Sequence, residues 1–179
     1  KWYHVGGKLQ KEGSYVDGLR HGRWRHLSKS GKVLADYTLK RGTGPYLLRH
    51  ENGKKREEGA WLDGQEHGTW KSWDRQGRLL GSYSLDRGTG TKKRWYDPGV
   101  LMSRSQLRAG KRHGRYVRYY SSGYKWVEAA FVDGKRHGPY RQWRLDGRQT
   151  VQGGYRDGSK HGQWILWSYR GLTSNDITR

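Results

Sequence analysis

The chain contains no cysteine, one methionine, one phenylalanine and three prolines in 179 residues. Without thiols there are no disulfides, no thiolate metal sites and no cysteine nucleophile, and the redox compartment stays open. No run of about 18 apolar residues occurs, so no transmembrane segment is expected. Only 31% of residues are hydrophobic, too little aliphatic material for one ordinary core. Acidic residues are scarce too: 16 face 37 Lys and Arg, for a formal net charge of +21. The chain starts at Lys1 without Met or a hydrophobic signal, as expected of a trimmed or processed chain. Localisation stays open, with the cytoplasm as the default expectation.

What is abundant is unusual: 10 Trp, 13 Tyr and 28 Gly. Such aromatic content argues against disorder. The glycines repeat. Gly22, Gly44, Gly68, Gly90, Gly114, Gly138 and Gly162 are spaced by 22 or 24 residues, and each is followed nine residues later by another: Gly31, Gly53, Gly77, Gly99, Gly123, Gly147 and Gly171. In Glu128 to Gly147, Ala129 and Phe131 alternate with Glu128, Ala130 and Val132, which is strand period. Asp133-Gly134 opens a turn that Gly138 closes, Tyr140 and Trp143 lie on a second strand, and Asp146-Gly147 turns back. Each unit therefore reads as a β-hairpin. Glycine at every tenth residue or so excludes helix, at about 1 kcal/mol for each interior Gly.

Two units are two residues short. The six-residue turn Asp17 to Gly22 becomes Lys40-Arg41-Gly42-Thr43-Gly44, and again Asp86 to Gly90. The preceding strand changes in step. Long-turn units carry a small residue two before a large one (Gly13/Tyr15, Gly59/Trp61, Ser105/Leu107, Ala129/Phe131, Gly153/Tyr155), whereas short-turn units carry Tyr37/Leu39 and Tyr83/Leu85. Positions i and i+2 share a face, so this pattern predicts volume complementarity between neighbouring hairpins.

Aromatic, x, Asp-Gly, two residues, His-Gly, x, aromatic, with a trailing Gly turn, resembles the MORN repeat in the bacterial variant of YwqK-like antitoxin components. Five units keep the structural turn pair: His21-Gly22, His67-Gly68, His113-Gly114, His137-Gly138 and His161-Gly162. The resemblance covers roughly residues 1–172. It implies an all-β fold: an elongated single-layer antiparallel sheet of about seven stacked hairpins. It also implies a non-enzymatic scaffold that binds a protein partner or membrane lipid. The expected organisation is one domain over 1–172, with a partial repeat 1–11 and repeats 12–34, 35–56, 57–80, 81–103, 104–127, 128–150 and 151–172. A tail 173–179 follows, and the two ends are the expected weak points.

No catalytic residue is expected. Consecutive turn histidines should lie roughly 10 Å apart, two strand spacings, too far to share one metal ion, so no metal or cofactor is expected. They read as turn residues packed against or hydrogen-bonded to loop backbone. Asp17, Asp63, Asp133, Asp146 and Asp157 precede Gly in turns, and no nucleophile motif or phosphate loop appears. The second residue after each motif glycine is Trp24, Tyr46, Trp70, Lys92, Tyr116, Tyr140 or Trp164, which reads as a packing ladder. The fifth is Leu27, Arg49, Trp73, Trp95, Tyr119, Trp143 or Trp167, an offset that suggests a bulge. A single layer leaves part of an aromatic face half exposed and open to a ligand.

Residues 1–90 hold 18 basic and 10 acidic residues, net +8, and residues 91–179 hold 19 and 6, net +13. An acidic partner is the simplest compensation for such self-repulsion. The candidate partner-binding residues are Lys92, Lys93, Arg94, Arg112, Arg115, Arg118, Arg136, Arg141, Trp143 and Arg144. An acidic protein, in an antitoxin, immunity-like or complex-subunit role, is the leading expectation. Nucleic acid is the alternative, through charge and base stacking. An anionic lipid surface comes last, for no amphipathic helix or lipidation motif supports it.

Overall fold

The computed structural model describes residues 1–167 and the backbone of 173–178. The described residues are all-β, in consecutive antiparallel hairpins. The chain divides into two compact units, Lys1–Gly88 and Thr89–Arg179. The first unit holds β1 (Trp2–Tyr3), β2 (Leu9–Val16), β3 (Leu19–Leu27), β4 (Val33–Leu39), β5 (Gly44–Arg49), β6 (Lys55–Leu62), β7 (Gln65–Trp73) and β8 (Leu79–Asp86). The second holds β9 (Thr89–Asp97), β10 (Val100–Arg108), β11 (Lys111–Tyr119), β12 (Lys125–Val132), β13 (Lys135–Trp143), β14 (Gln149–Arg156), β15 (Ser159–Trp167) and β16 (Thr173–Thr178). Thr173–Thr178, expected as a tail, runs antiparallel to β15. The expected turn at Gly171 lies outside the described residues. No helix among them is long and apolar enough to cross a membrane.

The first turn of each hairpin is tighter than its sequence suggests. The six-residue turns expected at Asp17–Gly22 and its equivalents are two-residue turns at Asp17-Gly18, Asp63-Gly64, Ala109-Gly110, Asp133-Gly134 and Asp157-Gly158, both residues with positive φ. The short-turn units use the same device at Arg41-Gly42 and Arg87-Gly88. Two consecutive positive φ values mark a type I′ turn, whose twist matches that of the flanking strands. The extra pair in long-turn units therefore belongs to the strand. On β3, Gly22, Arg23 and Trp24 stand opposite Gly13 alone, between the pairs Ser14–His21 and Glu12–Arg25. Gly22 has φ 71°, a conformation that glycine accepts and β-branched residues do not.

This bulge explains the small residue. It lays the Trp24 indole flat on Gly13, so that a Cβ there would sit 2.2 Å from Cδ2 of the indole. Gly59 meets Trp70 and Gly153 meets Trp164 in the same way, at 2.3 Å each. Where the aromatic residue is tyrosine, the partner grows: Ser105 pairs with Tyr116 and Ala129 with Tyr140. Tryptophan demands glycine; tyrosine leaves room for a Cβ. Complementary volumes are thus paired inside the long-turn hairpins, where the expectation had placed them between neighbouring hairpins.

In the first unit the strands fall into two sheets, β1–β4 and β5–β8, rather than one. Between β4 and β5 only the bridge Lys40–Thr43 is made. Here Tyr37 meets Tyr46, ring centroids 5.2 Å apart at 70°, where a long-turn hairpin would set a small residue against a ring. A second bulge recurs at the fifth position after the motif glycine, as its offset suggested: register shifts fall at His26/Leu27, Leu48/Arg49, Ser72/Trp73, Arg118/Tyr119 and Gln142/Trp143.

Candidate binding surface

Consecutive turns are stapled to one another along one edge. The backbone N–H of Gly42 donates to Arg20 O at 2.6 Å, Gly64 to Gly42 O at 3.1 Å and Gly88 to Glu66 O at 2.7 Å. In the second unit Gly134 donates to Arg112 O and Gly158 to Arg136 O, both at 2.8 Å. A second staple runs beside the first. His21 Nδ1 accepts the N–H of Arg41 at 3.3 Å, His67 that of Arg87 at 3.3 Å, His113 that of Asp133 at 3.4 Å and His137 that of Asp157 at 3.5 Å. In the short-turn units a hydroxyl takes over: Thr43 Oγ1 accepts from Asp63 and Thr89 Oγ1 from Ala109, each at 3.1 Å. His-Gly and Thr-Gly are therefore two chemical answers to one need, an acceptor for the left-handed residue of the next turn. Asp133 Oδ1 also accepts from Arg108 Nη2 at 3.0 Å, the first cause that holds this carboxyl below its usual range.

The opposite edge uses histidines outside the His-Gly turns, and tyrosines. His4 Nε2 donates to Leu27 O and His50 Nε2 to Trp73 O, both at 3.0 Å. Tyr96 and Tyr120 hydroxyls donate to Tyr119 O at 2.9 Å and Trp143 O at 3.0 Å. Each donor stands 23 residues before its acceptor, a spacing present in the sequence that the glycine period did not reveal. Among the described residues no three His, Asp or Glu side chains converge as metal ligands.

Strand alternation sorts the candidate residues onto two faces. Lys92, Tyr116 and Tyr140 share the ring face with Ser105 and Ala129, which stand opposite them. That face is less open than a single layer suggests: Trp24 is 0%, Trp70 1% and Trp164 3% exposed. Neighbouring rings and cations cover it. The Arg112 guanidinium lies 4.7 Å from the Tyr116 ring centroid and 5.3 Å from that of Phe131. Arg136 lies over Tyr155 and Tyr140 at 5.0 and 5.6 Å, Arg118 over Trp126 at 4.2 Å and Lys160 over Trp164 at 4.6 Å. Arg112, Arg118 and Arg136 thus serve the packing of their own unit. Arg94, opposite Ser103, shares this face. The ten candidate residues do not form one site.

The other face carries charge. Lys93, Arg104, Val117, Glu128 and Arg141 form one row across the second unit through successive register pairs. Arg115 and Lys125 both reach Glu128, at 2.5 and 2.9 Å. Burial raises the Glu128 carboxyl, but the Lys125 and Arg115 hydrogen bonds outweigh it and hold it below its ordinary value. Among the described residues Lys93, Arg104 and Arg141 have no carboxylate partner. In the first unit Arg25 pairs with Glu12, Arg23 with Asp36 at 2.5 Å and Lys55 with Glu58 at 3.1 Å, whereas Lys71, opposite Glu58, makes no ion pair among the described residues. Trp143 belongs to this charged face, half-buried, with Lys125 Nζ 5.4 Å from its ring, and Arg144 turns back onto Asp146 at 3.1 Å.

Arg104 and Lys125 were passed over as candidates although both lie in the most basic stretch. Strand parity relative to Lys93 and Arg141, which stand three residues after Gly90 and Gly138, would have picked out the row. The charged face offers an array of cations and half-buried aromatics, a surface suited to binding. No family model matches the chain, and no curated protein matches it.

Proposed function

We propose that this protein is a non-enzymatic repeat scaffold of the MORN-like type whose charged face in the second unit binds an acidic protein partner. The role is that of an antitoxin, immunity-like or complex-subunit module. One observation carries the reading: Lys93, Arg104 and Arg141 stand in one row and make no ion pair among the described residues, the acid of that row, Glu128, being taken by Arg115 and Lys125. Unpaired cations on a rigid sheet repel one another, a cost that an acidic surface removes on docking. The half-buried aromatics Trp95, Tyr119 and Trp143 add amphipathic anchors on the same strands, residue types that dominate interface hot spots.

The test compares the triple reversal of Lys93, Arg104 and Arg141 to Glu with the same charge change at the exposed first-unit positions Lys29, Lys40 and Arg75. Capture of a protein in nuclease-treated extract, weakened by salt and lost only in the first variant, is the expected result. Equal loss from both variants, or capture abolished by nuclease, overturns the localised protein interface in favour of diffuse binding to nucleic acid or an anionic membrane.

A further inference from the structure

A shallow depression on the charged face of the second unit is lined by Thr91, Arg104, Gln106 and Arg115. Three strands supply them: Thr91 from β9, Arg104 and Gln106 from β10, and Arg115 from β11. Register fixes their relation, for Thr91 stands opposite Gln106, and Lys93 opposite Arg104. The Gln106 amide is oriented, because its Oε1 accepts the Arg115 backbone N–H at 2.6 Å. With that oxygen engaged, the NH2 end of the amide is left to donate. Arg115 gives Nε and Nη2 to Glu128, which leaves Nη1. Arg104, half-buried, has no carboxylate partner among the described residues. The lining is thus a hydroxyl, an amide and two guanidinium groups, with Lys93 opposite Arg104 and Glu128 held by Arg115.

A concave site whose fixed groups donate and whose charge is positive calls for an oxyanion. A planar carboxylate is satisfied by the fork of a single arginine. Donors converging from three strands suit a tetrahedral group with three or more acceptor oxygens and more than one negative charge. We infer that this depression is a phosphate subsite, taking a phosphate monoester or free phosphate. The inference rests on the reading of this face as a surface for an acidic partner, on which it would seat a phosphorylated side chain.

The experiment follows the arginine Nε–Hε resonances of the full chain while inorganic phosphate is added, with acetate at matched ionic strength as the comparison. A phosphoserine peptide and its unphosphorylated twin form the second pair. The expected result is a saturable shift at Arg104 and Arg115 with phosphate, weaker with acetate, and roughly tenfold tighter binding of the phosphorylated peptide than of its twin. Arg104→Gln should remove the saturable shift, whereas Arg148→Gln, at an exposed second turn, should keep it. Non-saturating shifts spread over all surface arginines, equal response to acetate, or an unaffected Arg104→Gln variant would each overturn the subsite. Tighter binding of oligothymidylate than of the phosphopeptide would overturn the monoester assignment. The two readings fail separately: saturable phosphate binding without partner capture sinks the scaffold reading and spares the subsite, and capture without phosphate binding does the reverse.

Discussion

The Trp24 indole rests on the bare backbone of Gly13, with Cδ2 2.2 Å from where a Cβ would lie. No flexible atom lies between them to give way. Gly59 and Trp70 repeat the relationship. Gly59→Ala should therefore destabilise the first unit by about 1–3 kcal/mol, the range for overpacking. Tyrosine coexists with alanine at the pair Ala129–Tyr140. The double variant Gly59→Ala with Trp70→Tyr should consequently recover stability relative to Gly59→Ala alone. Urea denaturation of the parent, both single variants and the double variant measures the coupling, and additive losses would show that the indole contact does not set the residue at 59.

The turn staples make a second prediction. Thr43 Oγ1 accepts the Asp63 N–H, and Thr43→Val removes that acceptor at nearly constant volume, so it should cost about 1 kcal/mol. Gly42→Ala should cost more. Its φ of +78° disfavours any Cβ, and that atom would meet the Gly64 nitrogen at 2.5 Å. Thermal melts should rank parent above Thr43→Val above Gly42→Ala; a valine variant as stable as the parent would remove the hydroxyl from the ladder's energetics.

His26 gives the fold a pH dependence. Its ring lies against Tyr37 and Tyr46, with centroids 5.7 and 6.4 Å away. Burial first, and then the charges of Lys11 and Arg20, lower its pKa from 6.5 to about 4. The folded state therefore resists protonation that the unfolded chain accepts. His26 contributes its full stability above pH 6.5, and this is lost as pH falls from 6.5 toward about 4. The loss should amount to about 1–3 kcal/mol. A His26→Phe variant should show a flatter profile across that window, and a parent profile already flat there would count against the buried neutral imidazole.

The hairpin repeat, the strand alternation and the fifth-position bulge were all legible because each leaves a periodic mark in glycine or aromatic spacing. The pairing of bulk with turn length was visible too, but its cause was not. The Gly13–Trp24 contact depends on three residues bulging opposite one, and a run such as His21-Gly22-Arg23-Trp24 does not show where the turn stops and the strand resumes. The break between β4 and β5 likewise leaves no mark in the glycine spacing. For the charged face, composition grouped residues by sequence neighbourhood, not by strand face. Lys92 and Lys93 are adjacent in the chain and lie on opposite faces.

That division separates two classes of arginine by experiment. Arg112 and Arg136 lie on the ring face over Tyr116, Phe131, Tyr140 and Tyr155. Reversing either to Glu removes a cation–π contact and sets a carboxylate against the ring faces, so each should lower stability by about 1 kcal/mol. Arg104 differs. It stands opposite Lys93, a like-charge cross-strand pair without a carboxylate, and like charges placed directly opposite are destabilising. Arg104→Glu should then leave the fold as stable as the parent or raise its stability by a few tenths of a kcal/mol. The same change should abolish binding at the charged face. Opposite movements of stability and affinity at Arg104, with parallel losses at Arg112 and Arg136, are the expected pattern in paired unfolding and binding measurements. Destabilisation by Arg104→Glu comparable to that of Arg112→Glu would show that the unpaired row is structural, and would remove the observation on which the binding surface rests.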